Sequence, residues 1–70
     1  MTTLNQQLET IKSFNNTAII SVDFLSWGGA YIKFEATNFA FNGVKNALNI
    51  IIEQLENNQF MFISRLPNVS

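Results

Sequence analysis

The chain has no cysteine and no histidine among its 70 residues. Disulfides, thiolate metal ligands and imidazole ligands are therefore excluded. A serine nucleophile would have to find its base in a lysine or a carboxylate. A chain this short buries only about 60% of the surface that its unfolded form exposes. Small scaffolds usually add a disulfide, a metal or a partner subunit to compensate. Here a well-packed core, self-association, or both must supply the stability. Charge is scarce too: four basic and five acidic side chains give a net charge of −1. Lys12, Lys33, Lys45 and Arg65 are spread along the chain, whereas a duplex-binding protein gathers cations on one face to release counterions from phosphates. Five carboxylates are too few to imitate DNA. Nucleic acid is not an expected partner. Long apolar runs are also missing. The longest, Leu48–Ile52, is interrupted by Asn49 and falls far short of the ~20 residues that span a bilayer. No membrane association is expected. The first residues lack a cationic segment followed by an apolar stretch, so no signal peptide is expected and the cytoplasm is the expected location.

What is present is ordinary for one globular domain over residues 1–70, with 47% hydrophobic residues. Asparagine is frequent, with pairs at Asn15-Asn16 and Asn57-Asn58. Together with the isoleucines and phenylalanines, this composition points to an AT-rich genome.

The pattern along the chain predicts an α+β fold. Leu4, Leu8 and Ile11 recur on one stripe of a helix from Leu4 to Phe14. Thr3 and Gln6 have capping-box spacing at its start, and Asn15-Asn16 ends it. A hairpin follows. Ala18, Ile20, Val22 and Phe24 alternate with Ile19, Ser21, Asp23 and Leu25, and Ala30, Ile32, Phe34 and Ala36 alternate with Tyr31, Lys33, Glu35 and Thr37. Opposing Phe24 to Ile32, Val22 to Phe34, Ile20 to Ala36 and Asp23 to Lys33 keeps one face apolar and pairs charges on the other. The loop is then Trp27-Gly28-Gly29, or five residues, with Gly29 expected at the positive φ that such loops require. A second helix is predicted from Gly43 or Val44 to Glu56, with Asn42 as its N-cap. Its apolar face is Val44, Ala47, Leu48, Ile51, Ile52 and Leu55, and Ile50 falls on the polar side. Asn57-Asn58 ends it. Gln59–Arg65 reads as a third strand, stopped by Pro67, with Phe60 and Phe62 on one face and Met61 and Ile63 on the other. The expected architecture is two-layered. A three-stranded, mainly antiparallel sheet of order 2-1-3 carries two helices on one face, in the order α1-β1-β2-α2-β3. A parallel crossover beside the second strand is the other topology.

No catalytic constellation appears, and no metal or cofactor is expected. Asp23, Lys33, Glu35 and Ser21 read as cross-strand neighbours. Glu53 and Glu56 read as a solvated helix face, and Gly28-Gly29 lacks the lysine, hydroxyl and helix of a phosphate loop. Two features remain. The sheet face turned away from the helices combines tyrosine, methionine, arginine and aliphatic residues, a composition found at interfaces. Trp27 at the hairpin tip is an anchor of the kind that fills a partner's pocket. The expected contact residues are Leu25, Trp27, Tyr31, Lys33, Met61, Ile63 and Arg65, with a second candidate face at Ile50, Glu53 and Asn57. A non-enzymatic protein-binding module follows, acting by covering a partner's surface. Size, composition and the lack of any staple fit the accessory proteins of phages and mobile elements, such as anti-defence inhibitors (anti-CRISPR proteins among them) and immunity proteins. The alternative is a structural homo-oligomer, with a small ligand held between subunits as one form of it.

Overall fold

A computed structural model describes residues 3–66, so the expected stop at Pro67 lies outside the described residues. The elements are α1 (Leu4–Ser13), β1 (Thr17–Phe24), β2 (Ala30–Ala36), α2 (Asn38–Leu48), β3 (Glu53–Glu56) and β4 (Gln59–Ser64). They form one four-stranded sheet of order β1-β2-β4-β3, antiparallel at every junction. Both helices contribute to the core on one side of it.

The first helix forms as its sequence predicts. The Gln6 amide donates to Thr3 Oγ1 at 3.3 Å, and the Thr3 amide donates to Gln6 Oε1 at 2.8 Å, which satisfies two amides left over at a helix start. At the other end the Thr17 hydroxyl reaches the carbonyls of Ile11 and Phe14 at 2.7 and 2.8 Å. Asn16, at φ 65°, takes the left-handed turn into β1.

The hairpin is where predicted, but its register is not. Val22 faces Ile32, Phe24 faces Ala30, Asp23 faces Tyr31 and Ser21 faces Lys33, so the expected Asp23–Lys33 pair does not form. A five-residue loop, Leu25–Gly29, closes with the Leu25 amide donating to the Gly29 carbonyl at 2.8 Å. This shifts the pairing by two residues. An even shift leaves every side chain on its own face, and the faces near the turn are as expected. The ladder then slips at Ile20, which has no partner on β2. One extra residue inverts the faces beyond it. Ile19, not Ile20, therefore lies opposite Phe34 and packs on the core. The positive φ belongs to Gly28, at 97°, and not to Gly29.

The second helix is displaced by half its length. Thr37, not Asn42, is its N-cap, with Oγ1 accepting from the Ala40 amide at 3.2 Å. It ends at Asn49, whose φ of 53° is left-handed and whose amide donates to the Lys45 carbonyl at 2.9 Å. Ile50-Ile51-Ile52 follows, and β-branched side chains lose rotamer freedom in a helix. The chain runs on as β3, turns at Asn57-Asn58 and returns as β4. That extra strand corrects the topology. A chain coming straight off α2 would run parallel to β2, whereas the β3–β4 hairpin reverses it, so β4 adds antiparallel beside β2 and not at the β1 edge.

The core is layered on β2. Phe34 is fully buried between Ile19 on β1 and Phe60 on β4. Its ring stacks on Phe60 at 5.7 Å and meets the edge of Phe62 at 6.1 Å. Phe41 of α2 lies flat on Phe60, 4.0 Å between centroids. The buried Ser64 hydroxyl donates to Gln7 Oε1 at 2.7 Å, tying β4 to α1.

Asn58 has φ 67° in the β3–β4 turn, and its carbonyl accepts from the Ala36 amide at 2.8 Å. Asn58→Gly keeps that backbone bond and relieves the left-handed strain. It should leave the protein as stable as before, or more so by a few tenths of a kcal/mol. Asn58→Val should cost about 1–2 kcal/mol. Urea denaturation of the two variants checks this ordering.

Candidate functional site

The face of the sheet turned away from the helices gathers most of the expected contact residues. Alternation places Tyr31 opposite Ile63 and Lys33 opposite Met61, and Met61 lies between Lys33 and Glu53. Two strand positions thus join four of the seven residues into one block. Arg65 follows β4 in the same alternation. Its guanidinium carbon lies 5.8 Å from the Trp27 ring centroid, within range of a cation–π contact. Trp27 folds back over Gly29, where the absence of a side chain leaves room for the ring. It nevertheless keeps 57% of its surface exposed. Leu25, half-buried, begins the same loop.

The depth of these residues differs. Met61 is buried at 6% exposure, while Ile63 is half exposed. Met61 therefore forms the floor of the face and Ile63 stands out from it.

The second candidate face does not exist as a helix surface. Ile50 follows α2 and packs partly on the core, Glu53 opens β3 and Asn57 sits in the turn. Ile50 and Glu53 instead belong with the first patch. Beyond the Glu53–Met61 pair, the chain before β3 diverges from β4. The gap is a cleft of about 440 Å³, with Ile50, Ile51 and Glu53 on one wall and Met61, Phe62, Ile63 and Arg65 on the other. Among the described residues, the ladder pairs Phe62, Ile63 and Ser64 with β2 alone. On the cleft side, that stretch of β4 carries no strand neighbour.

Ile51 is the residue that sequence reasoning missed. It is 94% exposed at the lip of the cleft, whereas the helical period places it on the apolar face of a longer helix. The signal was Asn49 followed by three β-branched residues. Phe24, Ile20 and Phe39 are further exposed apolar side chains outside this cleft.

Among the described residues there is no group of three or more acidic or other metal-binding side chains, and no helix long and apolar enough to cross a membrane. No protein-family model matches the chain, and no curated protein or solved structure matches it.

Proposed function

We propose that this chain is a non-enzymatic protein-binding module that works by covering a partner's surface. The contact runs from Trp27 across Ile63 to the Ile51 lip of the cleft. The observation that carries this reading is the grouping of exposed apolar side chains, Ile51 and Ile63 at the cleft and Trp27 beside Arg65, around the buried Met61, which has Lys33 and Glu53 as its neighbours on the two adjoining strands. A desolvated apolar centre with a polar rim is how protein interfaces are built. Trp27 and Tyr31 supply rigid area at low entropic cost. Lys33 and Arg65 set orientation and encounter rate more than affinity. The open edge of β4 adds main-chain donors and acceptors for an extended segment of the partner. The lack of cysteine and histidine and the abundance of asparagine, isoleucine and phenylalanine fit an inhibitor or accessory protein of the phage or mobile-element kind, either an anti-defence protein (an anti-CRISPR protein is one example) or an immunity protein. An occluding inhibitor of that kind needs a surface and no reactive group.

The test is differential. A partner captured from host lysate is titrated against the wild type, Trp27→Ala and Ile51→Lys. Each substitution should weaken binding at least tenfold, as hot-spot truncations do. Ile51→Lys should leave the melting temperature unchanged, because that side chain is already in solvent. Unchanged affinity in both variants refutes this surface.

A further inference from the structure

The two edges of the sheet are not alike. β3 is four residues long, carries Glu53 and Glu56, and its ladder is irregular before Glu56. Shortness, charge and irregularity all discourage edge-to-edge pairing. β1 is eight residues long, its one charge is Asp23, and its exposed apolar side chains are Ile20 and Phe24, at 44% and 62%. Its only guard is the slip at Ile20. We infer that β1 is a self-association edge, and that its occupant is β1 of a second copy of this chain, paired antiparallel about a two-fold axis between Ile20 and Ser21.

The slip at Ile20 selects that register. On the turn side of it, Val22 and Phe24 face the helices while Ser21 and Asp23 face out. On the far side, Thr17 and Ile19 face the helices and Ala18 faces out. An axis between Ile20 and Ser21 sets Phe24 against Thr17, Val22 against Ile19 and Asp23 against Ala18 of the second copy. Each of these pairs joins like faces, so both helix layers lie on one side of a continuous eight-stranded sheet. An axis through Ile20 would oppose inward to outward residues across the slip. A regular strand can pair here only by taking the slip as a bulge, as β2 does on the other side, whereas a second β1 keeps like faces together on both sides of the axis. Charge agrees with the register, because Asp23 faces Ala18 and not its own counterpart.

Eight residues span about 27 Å, and with the 17 Å shortest extent of the molecule as an upper bound on depth the contact covers at most roughly 900 Å² counted over both copies. That lies near the ~1,000 Å² lower end of specific interfaces. The contact is therefore a small one, and the dimer is expected only at high protein concentration, with Phe24 gaining the most cover. This contact runs along the β1 edge, whereas the partner-binding surface from Trp27 across Ile63 to Ile51 lies toward the β4–β3 end of the same sheet.

Sedimentation equilibrium between ~10 µM and ~1 mM tests it. The mean mass of the wild type should rise from one chain toward two. Ile20→Lys should remain a monomer throughout, with its far-ultraviolet dichroism unchanged. Ala18 is exposed, and its substitutions read the register directly. Ala18→Lys, facing Asp23 of the second copy, should tighten the dimer about fivefold or more, and Ala18→Glu should weaken it as much. If Ile20→Lys fails to fold, the Ala18 pair decides. A wild type that stays monomeric at ~1 mM overturns the proposal. So does a dimer indifferent to both Ala18 substitutions, and so does one broken by Ile51→Lys, which would place the contact on the partner-binding face.

Discussion

Phe34→Ala should remove about 3–5 kcal/mol of stability, the range for deleting a buried phenylalanine ring. Domains hold roughly 0.05–0.15 kcal/mol per residue, so a 70-residue chain has about 3.5–10 kcal/mol in all. The variant should therefore lose from about a third to all of its stability, and with the wild type at the lower end of that range it stands unfolded at room temperature. No other position concentrates as much. Phe34 has no exposed surface, touches two rings, and occupies the central strand between Ile19 and Phe60. Phe41, which seats α2 on the sheet, rests on Phe60, so the cavity would undermine a helix contact as well. Phe34→Leu fills most of the volume and should cost about 1–2 kcal/mol less. Guanidinium denaturation of the two variants gives the comparison. A Phe34→Ala protein that unfolds within about 1 kcal/mol of wild type would mean that the three rings do not form the core.

The parts of this fold that were legible in the sequence are those fixed by local chemistry. Thr3 and Gln6 cap α1 through bonds three residues apart, and the period-two alternation in β2 and β4 assigns Ile32, Phe34, Phe60 and Phe62 to the core without any knowledge of pairing. The misread parts depended on a competition. Asparagine can end a helix, sit inside one, or make a hairpin turn. Asn42 is helical, Asn49 caps α2 and Asn58 turns a hairpin. Val44, Ala47, Leu48, Ile51, Ile52 and Leu55 happen to share a helical period, yet the last three lie beyond the helix. A helix with Thr37 as its cap wins because Phe41, Val44 and Leu48 then reach the core together. The slip at Ile20 left no trace in the alternation, since Ile19 and Ile20 are the same residue type.

The candidate site followed the same division. Tyr31, Lys33, Met61 and Ile63 were legible as one block because strand alternation is local. The cleft was not, because it exists only where β3 and β4 diverge, and the apolar period of Ile51, Ile52 and Leu55 by itself predicts helix there. Ile50 and Glu53, first grouped by a helical period, meet again as neighbours in that cleft for a different reason.

Gly29→Val should cost about 2–3 kcal/mol, at the upper part of the range for forcing atoms into filled space, and it should release Trp27. The glycine pair at the hairpin tip divides its work. Gly28 supplies the positive φ and has nothing near the position of a Cβ. Gly29 has an unremarkable φ but is buried, and a Cβ there would overlap the Trp27 ring and come within 2.7 Å of the Ser64 carbonyl oxygen. The ring is free to swing into solvent. The carbonyl is not free to move, because Ser64 pairs with Ala30 and its hydroxyl holds Gln7. The backbone must therefore shift at the junction of β2, β4 and α1, and the indole must leave its place over Gly29, away from Arg65. Gly28→Ala meets only conformational strain and should cost about 1 kcal/mol. Tryptophan is present once in the chain, so its fluorescence reports the ring alone. Gly29→Val should shift the emission to the red in the folded state and lower the denaturation midpoint, whereas Gly28→Ala should do only the second, and by less. If Gly28→Ala proves the more damaging of the two, strain in the turn and not the seat of the indole governs the tip. The outward position of Trp27 would then owe nothing to Gly29.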